Sequence, residues 1–249
     1  MNHASSKLHG GEVFEPTAQV AHKRLKSLGS SEIAIHSQRF FKTGPGDYGE
    51  GDVFIGVRVP VIRKVAKEFR DLPLNEFENL LRSDIHEERL LALVILVSQF
   101  KKSDGPVRRR IYDVYLGNTE HINNWDLVDV SAPQIVGAYL EDRSRRPLYR
   151  LVKSSSLWER RIAILATFHF IRQSDFDDTI RISTMLIKDK EDLIHKAVGW
   201  MLREVGKRDL STEEAFLNEH AATLPRTMLR YAIEKFSKQK RRRYIDWSV

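Results

Sequence analysis

The stretch ERLLALVILVSQF, Glu88 to Phe100, decides the fold class. Its apolar residues recur at three- and four-residue spacing, the period of an α-helix that buries one face. From Pro16 onward most segments repeat that spacing, and strict alternation is scarce. The most strand-like run, VFIGVRVPVI (53–62), contains Pro60, which could instead begin a helix over VPVIRKVAKEF. The chain therefore reads as almost entirely helical.

ERLLAL at Glu88 has counterparts in NWDLVD at Asn124, ERRIAI at Glu159 and HKAVGW at His195, with starts 36, 35 and 36 residues apart. A weaker fifth copy, LRYAIEKF, begins at Leu229. Such a period suits a helix–turn–helix repeat of tetratricopeptide or shorter HEAT-like length, and the tetratricopeptide consensus is not visible. The expectation is an all-α, HEAT-like helical-repeat solenoid. It would form one domain over 16–249, after a disordered segment 1–15, with a concave basic face lined by the second helix of each unit.

Composition narrows the function classes. The chain has 249 residues, 41% of them hydrophobic, enough for a sizeable core. No cysteine is present, so disulfides, thiolate nucleophiles and Cys-ligated zinc are excluded. No apolar run reaches the roughly 18 residues of a membrane span, and MNHASSKLHGGEVFEP lacks a signal peptide's apolar middle. A soluble, cytoplasmic, monomeric protein away from the membrane is expected. The formal net charge is +7, with basic clusters at 101–110, 141–150 and 238–244. Each could be a solvated helix end; together they favour a polyanion partner.

The repeat alignment singles out one acid. Asp129 falls where the other copies carry Leu93, Ile164 and Trp200, and Trp125 falls where they carry Arg89, Arg160 and Lys196. Trp125 and Asp129, four apart, share a helix face. An acid at an apolar position marks either a functional site or a carboxylate bonded to a neighbour such as Arg161. Asp126 lies on another face and reads as structural. Other motifs fail. GPGDYG (44–49) fits the dinucleotide fingerprint, but no apolar strand precedes it and its acids would repel a pyrophosphate. It reads as a glycine-rich loop between helices. HEER (86–89) lacks the second histidine of a zinc motif, so no metal or other cofactor is expected. Trp158 opens its helix and reads as packing, and Trp247 lies near the C-terminus.

NWDLVD (124–129), WERRIAIL (158–165) and HKAVGWMLRE (195–204), in this order and at these separations, resemble the AlkD-type DNA alkylation-repair glycosylases, which are built of HEAT-like repeats. FIGVRVP (54–60) and RTMLRYAIEKF (226–236) extend the resemblance over roughly residues 20–245. It implies active-site tryptophans at Trp125 and Trp200, a carboxylate at Asp129 and a backbone-contacting arginine at Arg161. Arg203 and Lys196 become further candidate phosphate contacts. An N-terminal aromatic near the lesion would be Phe40 or Tyr48. Asp192 and Leu193 stand where the family can carry aromatics, and Asn124 precedes Trp125.

The implied partner is double-stranded DNA containing alkylated purines, which would place the protein with the nucleoid. The implied reaction is hydrolysis of the N-glycosidic bond of a cationic N3- or N7-alkylated purine, the first step of base excision repair. That base leaves as a neutral molecule, so the protein must mainly stabilise the developing sugar cation and position water, which a carboxylate can do. Indole faces attract the cationic base. The resemblance further implies engagement of the lesion through the backbone, without enclosing the base. Two alternatives are a noncatalytic HEAT-like protein that binds branched or distorted DNA, and a protein-binding scaffold.

Overall fold

The computed structural model describes residues 15–246. The expected disordered segment 1–15 therefore lies outside the described residues except for Glu15, as does Trp247. The described residues form fourteen α-helices and no strand. One isolated parallel bridge pairs Val53 with Ile85, so the strand-like run at 53–62 contributes a bridge at its start. Helix α3 (Val59–Glu68) then takes over with Pro60 in its first turn, where a missing N–H breaks no helical bond. Among the described residues no helix is long and apolar enough to cross a membrane. The chain divides into two compact units, the first ending at Lys102 and the second beginning at Ser103.

In the first unit, α1 (Ala18–Lys26), α3 and α4 (Leu74–Leu81) pack against α5 (His86–Lys102). The α5 helix carries the opening sequence stretch and begins two residues before Glu88. Its first four residues form a buried polar cluster. His86 bonds Asp52 at 2.9 Å, Arg89 pairs with the same carboxylate, and Glu88 meets His22 at 2.5 Å. Glu87 accepts the backbone N–H groups of Ile55, Gly56 and Val57 at 3.2, 2.8 and 3.2 Å. That carboxylate satisfies three donors of an irregular segment which has no sheet to pair with. Gly56 has φ +80°, and a Cβ there would overlap the Ser30 carbonyl at the start of α2 (Ser31–Phe40). The glycine-rich loop expected at 44–51 joins α2 to α3, with Gly46 and Gly51 at positive φ.

The second unit opens with α6 (Gly105–Gly117) and continues with α7 (Trp125–Ala132), α8 (Arg146–Leu151), α9 (Leu157–Arg172), α10 (Asp177–Leu186) and α11 (Asp192–Gly206). It closes with α12 (Leu210–His220), α13 (Arg226–Ala232) and α14 (Lys238–Asp246). Helices α7, α9, α11 and α13 pack successively on one another as one row. Helices α8, α10 and α12 pack against members of that row. Four of the five sequence copies thus lie on the row: Asn124 caps α7, Glu159 and His195 lie in the first turns of α9 and α11, and Leu229 lies in α13, whereas the copy at Glu88 lies on α5 of the first unit. Leu93 and Ile164 are fully buried, as apolar repeat positions should be. Even the polar register repeats. Arg89 and Arg160 each donate Nη1 to a serine carbonyl six residues back, Ser83 and Ser154, and each pairs with an aspartate. At Gly199 a Cβ would overlap the Met228 carbonyl, so the absence of a side chain lets α11 lie close against α13 beside Trp200.

Candidate functional site

Asn124, fully buried, caps α7 by accepting the Trp125 N–H at 2.8 Å, which fixes where Trp125 starts the helix. One turn later Asp129 emerges half-buried on the same face, its side chain 17% exposed. Pro133, four residues further, has no N–H to donate to the Asp129 carbonyl, and the backbone widens into a π-helical turn over Pro133–Gly137. Sequence reasoning missed this irregularity, although the proline four residues after the acid signals it.

Packing of α7 on α9 brings Arg161 to Asp129. The guanidinium is buried and grips both carboxylate oxygens, Nε to Oδ1 and Nη2 to Oδ2, each at 2.9 Å. Its Nη1 donates to the Leu193 carbonyl at 2.6 Å, in the first turn of α11. One arginine thus ties together three successive helices of the row. The parallel two-bond geometry holds the carboxylate in one orientation. Burial pushes the Asp129 carboxyl above its ordinary value, Arg161 opposes that shift, and Asp126 adds to it. Each carboxylate oxygen keeps a second lone pair that a water or a substrate hydrogen can use.

Trp200 sits half-buried on α11. Its Nε1–H donates to Glu204 Oε1 at 3.3 Å, and its ring lies 5.7 Å from that of Phe168 on α9. Glu204 also pairs with Lys207 at 2.6 Å and Arg208 at 3.3 Å, which hold its ionisation below the ordinary carboxyl range despite burial. Phe168 in turn carries the Arg172 guanidinium 4.1 Å from its ring centre. Phe168 and Glu204 are thus partners of Trp200 that sequence reasoning did not name. The i, i+4 spacing of Trp200 and Glu204 was the available signal.

The two remaining basic candidates are each engaged with a carboxylate. Lys196 pairs with Asp192 at 2.7 Å, and Arg203 pairs with Glu234 beyond α13. Phe40 is 59% exposed at the end of α2, whereas Tyr48 is partly buried in the following loop. Both belong to the first unit, while Trp125, Asp129 and Trp200 belong to the second.

Residues 21–236 match the family described as DNA alkylation repair enzyme. No curated protein matches. Among solved structures, one described as a predicted DNA alkylation repair enzyme from Enterococcus faecalis is 18% identical. It covers 84% of this chain and 97% of its own, with a TM-score of 0.66. AlkD2 from Streptococcus mutans is 16% identical over 93% of this chain and 97% of its own, with a TM-score of 0.48. The protein smu.31 from Streptococcus mutans UA159 is also 16% identical, over 93% and 96%, with a TM-score of 0.48. The Enterococcus likeness, at its low identity, speaks for a shared helical fold. The family match does more, because it runs from the first helix to the turn after α13 and takes in Trp125, Asp129, Arg161 and Trp200. This chain belongs to the DNA alkylation repair enzyme family.

Proposed function

We propose that the chain is a DNA glycosylase that hydrolyses the N-glycosidic bond of cationic N3- or N7-alkylated purines in duplex DNA, acting as a monomer. The family places it in DNA alkylation repair; the reaction and its residues are our reading. The observation that carries it is the half-buried Asp129, locked by a buried arginine at a repeat position that Leu93 and Ile164 fill with core.

In this reading the glycosidic electron pair leaves with the purine and cancels its positive charge, while positive charge builds on the deoxyribose. Asp129 faces that charge, and its free lone pairs orient the water that adds to the anomeric carbon. The proton released passes to the carboxylate or to solvent. Trp125 and Trp200 favour the cationic base by about 0.5–2 kcal/mol each, as indole faces do. Arg161 acts first as the positioning residue for Asp129, with its two uncommitted N–H groups as the means of reaching a phosphate. Lys196 and Arg203 reach phosphates by exchanging their carboxylate partners for the DNA backbone.

A second reading is favoured by the same pair. A carboxylate matched in charge by its arginine could be purely architectural in a noncatalytic protein that binds distorted DNA. Release of free base from duplex DNA carrying N7-methylguanine, measured for the wild type and Asp129→Asn at low salt, separates the two. The glycosylase predicts release by the wild type and a loss of about 100-fold or more in the variant, with duplex binding kept. Near-wild-type release by Asp129→Asn would sink the role of Asp129. Binding without release by either protein would favour the noncatalytic reading.

A further inference from the structure

In the first unit, α3 and α5 enclose a groove of about 450 Å³ lined by Arg63, Ala66, Lys67, Arg70, Val94, Ser98 and Lys102. Arg63 and Lys67 stand one turn apart on α3, with Arg70 in the turn that follows that helix, and Val94, Ser98 and Lys102 stand at i, i+4 and i+8 on α5. Two stripes of one face each therefore confront one another. Ala66, which is buried, and Val94 make an apolar floor, while four exposed cations edge it and no acid lines it. The turn that follows α3 is pinned to α5, because Gln99 donates Nε2 to the Arg70 and Leu72 carbonyls at 3.0 and 2.8 Å.

These cations differ from those of the candidate site. Arg161, Lys196 and Arg203 are each paired with a carboxylate. Among the described residues Arg63, Lys67 and Lys102 form no ion pair. Arg70 meets only its neighbour Asp71, at 3.4 Å, with both side chains more than half exposed, a contact worth little. Uncompensated like charges around one groove repel one another and gain most from a polyanion.

We propose that this groove is a phosphate-backbone clamp, which seats a stretch of one DNA strand on the first unit independently of the lesion. The proposal rests on DNA as the chain's partner, and not on glycosylase chemistry. Its test is the salt dependence of binding to an undamaged duplex, followed by fluorescence anisotropy, for the wild type and Arg63→Ala/Lys67→Ala/Arg70→Ala. All three residues are exposed, and unchanged far-UV circular dichroism and melting temperature would show the variant folded. Loss of three phosphate contacts makes the log–log salt slope shallower by about 2.7. From 50 to 200 mM salt, wild-type affinity then falls about 40-fold more than that of the variant, and the gap in affinity closes as salt rises. An unchanged slope with wild-type binding intact overturns the clamp and leaves the glycosylase reading standing. Absence of any wild-type binding overturns both. A third arm titrates inorganic phosphate at constant ionic strength. Saturable phosphate binding lost in the variant, with an unaltered DNA slope, would mean a site for a small anion and would also overturn the clamp.

Discussion

Glu213 on α12 is 2% exposed, and its Oε1 has no hydrogen-bond partner among the described residues. Burial pushes its carboxyl from the ordinary 4.5 up to about 8; Lys240 and Arg203 pull it down, and Glu214 pushes it further up. The folded protein therefore holds this proton across a window, from about 4.5 to about 8, where the unfolded chain has released it. Folding takes up a proton there, so the stability from this group is greatest at the acid end and is lost as pH rises through the window. The slope approaches 1.4 kcal/mol per pH unit, or about 3 kcal/mol between pH 5.5 and 7.5. Glu213→Gln is an isostere of the protonated form and removes the titration. We expect wild type and variant to melt together only near pH 4. The variant should melt about 3–6 °C higher at pH 5.5 and about 8–16 °C higher at pH 7.5, as read by far-UV circular dichroism. All other titrating groups are common to both proteins and cancel in the difference. Melting temperatures that move in parallel from pH 5.5 to 8.5 would refute the argument, because Glu213 would then be ionised in a hydrated fold.

Two further outcomes follow from the buried polar pairs. Arg161→Ala leaves the Asp129 carboxylate and the Leu193 carbonyl without their donor and should cost about 3 kcal/mol or more in urea unfolding. Asp129→Asn in the same background should recover part of that loss, and an additive double mutant would argue against direct coupling. Glu87→Ala strands the N–H groups of Ile55, Gly56 and Val57 and should cost about 3 kcal/mol or more. Glu87→Gln, which keeps one acceptor oxygen, should lose less, and equal losses in the two variants would contradict that account.

Helical period and repeat register are local properties, and both were legible in the sequence. Apolar spacing of three and four can be read along any one segment, so the stretch at Glu88–Phe100 predicts a helix, and α5 spans it. The recurrence of that pattern places Asn124, Glu159, His195 and Leu229 on successive helices of one row. The same register marks Asp129, because its counterparts Leu93 and Ile164 are core. What Asp129 and the basic residues touch was not legible, since it depends on how helices some 30 residues apart lie beside one another. The sequence left Arg161 two uses, a phosphate or Asp129, and the packing of α7 on α9 puts its guanidinium on the carboxylate. Packing likewise gives Arg203 to Glu234, and it gathers Arg63, Lys67 and Arg70 around one groove with Lys102, although of these only Lys102 lies in a basic cluster of the sequence. Burying apolar stripes determines which helices meet. The polar and charged residues take whatever partners that meeting brings within reach, and only the tertiary structure decides those partners.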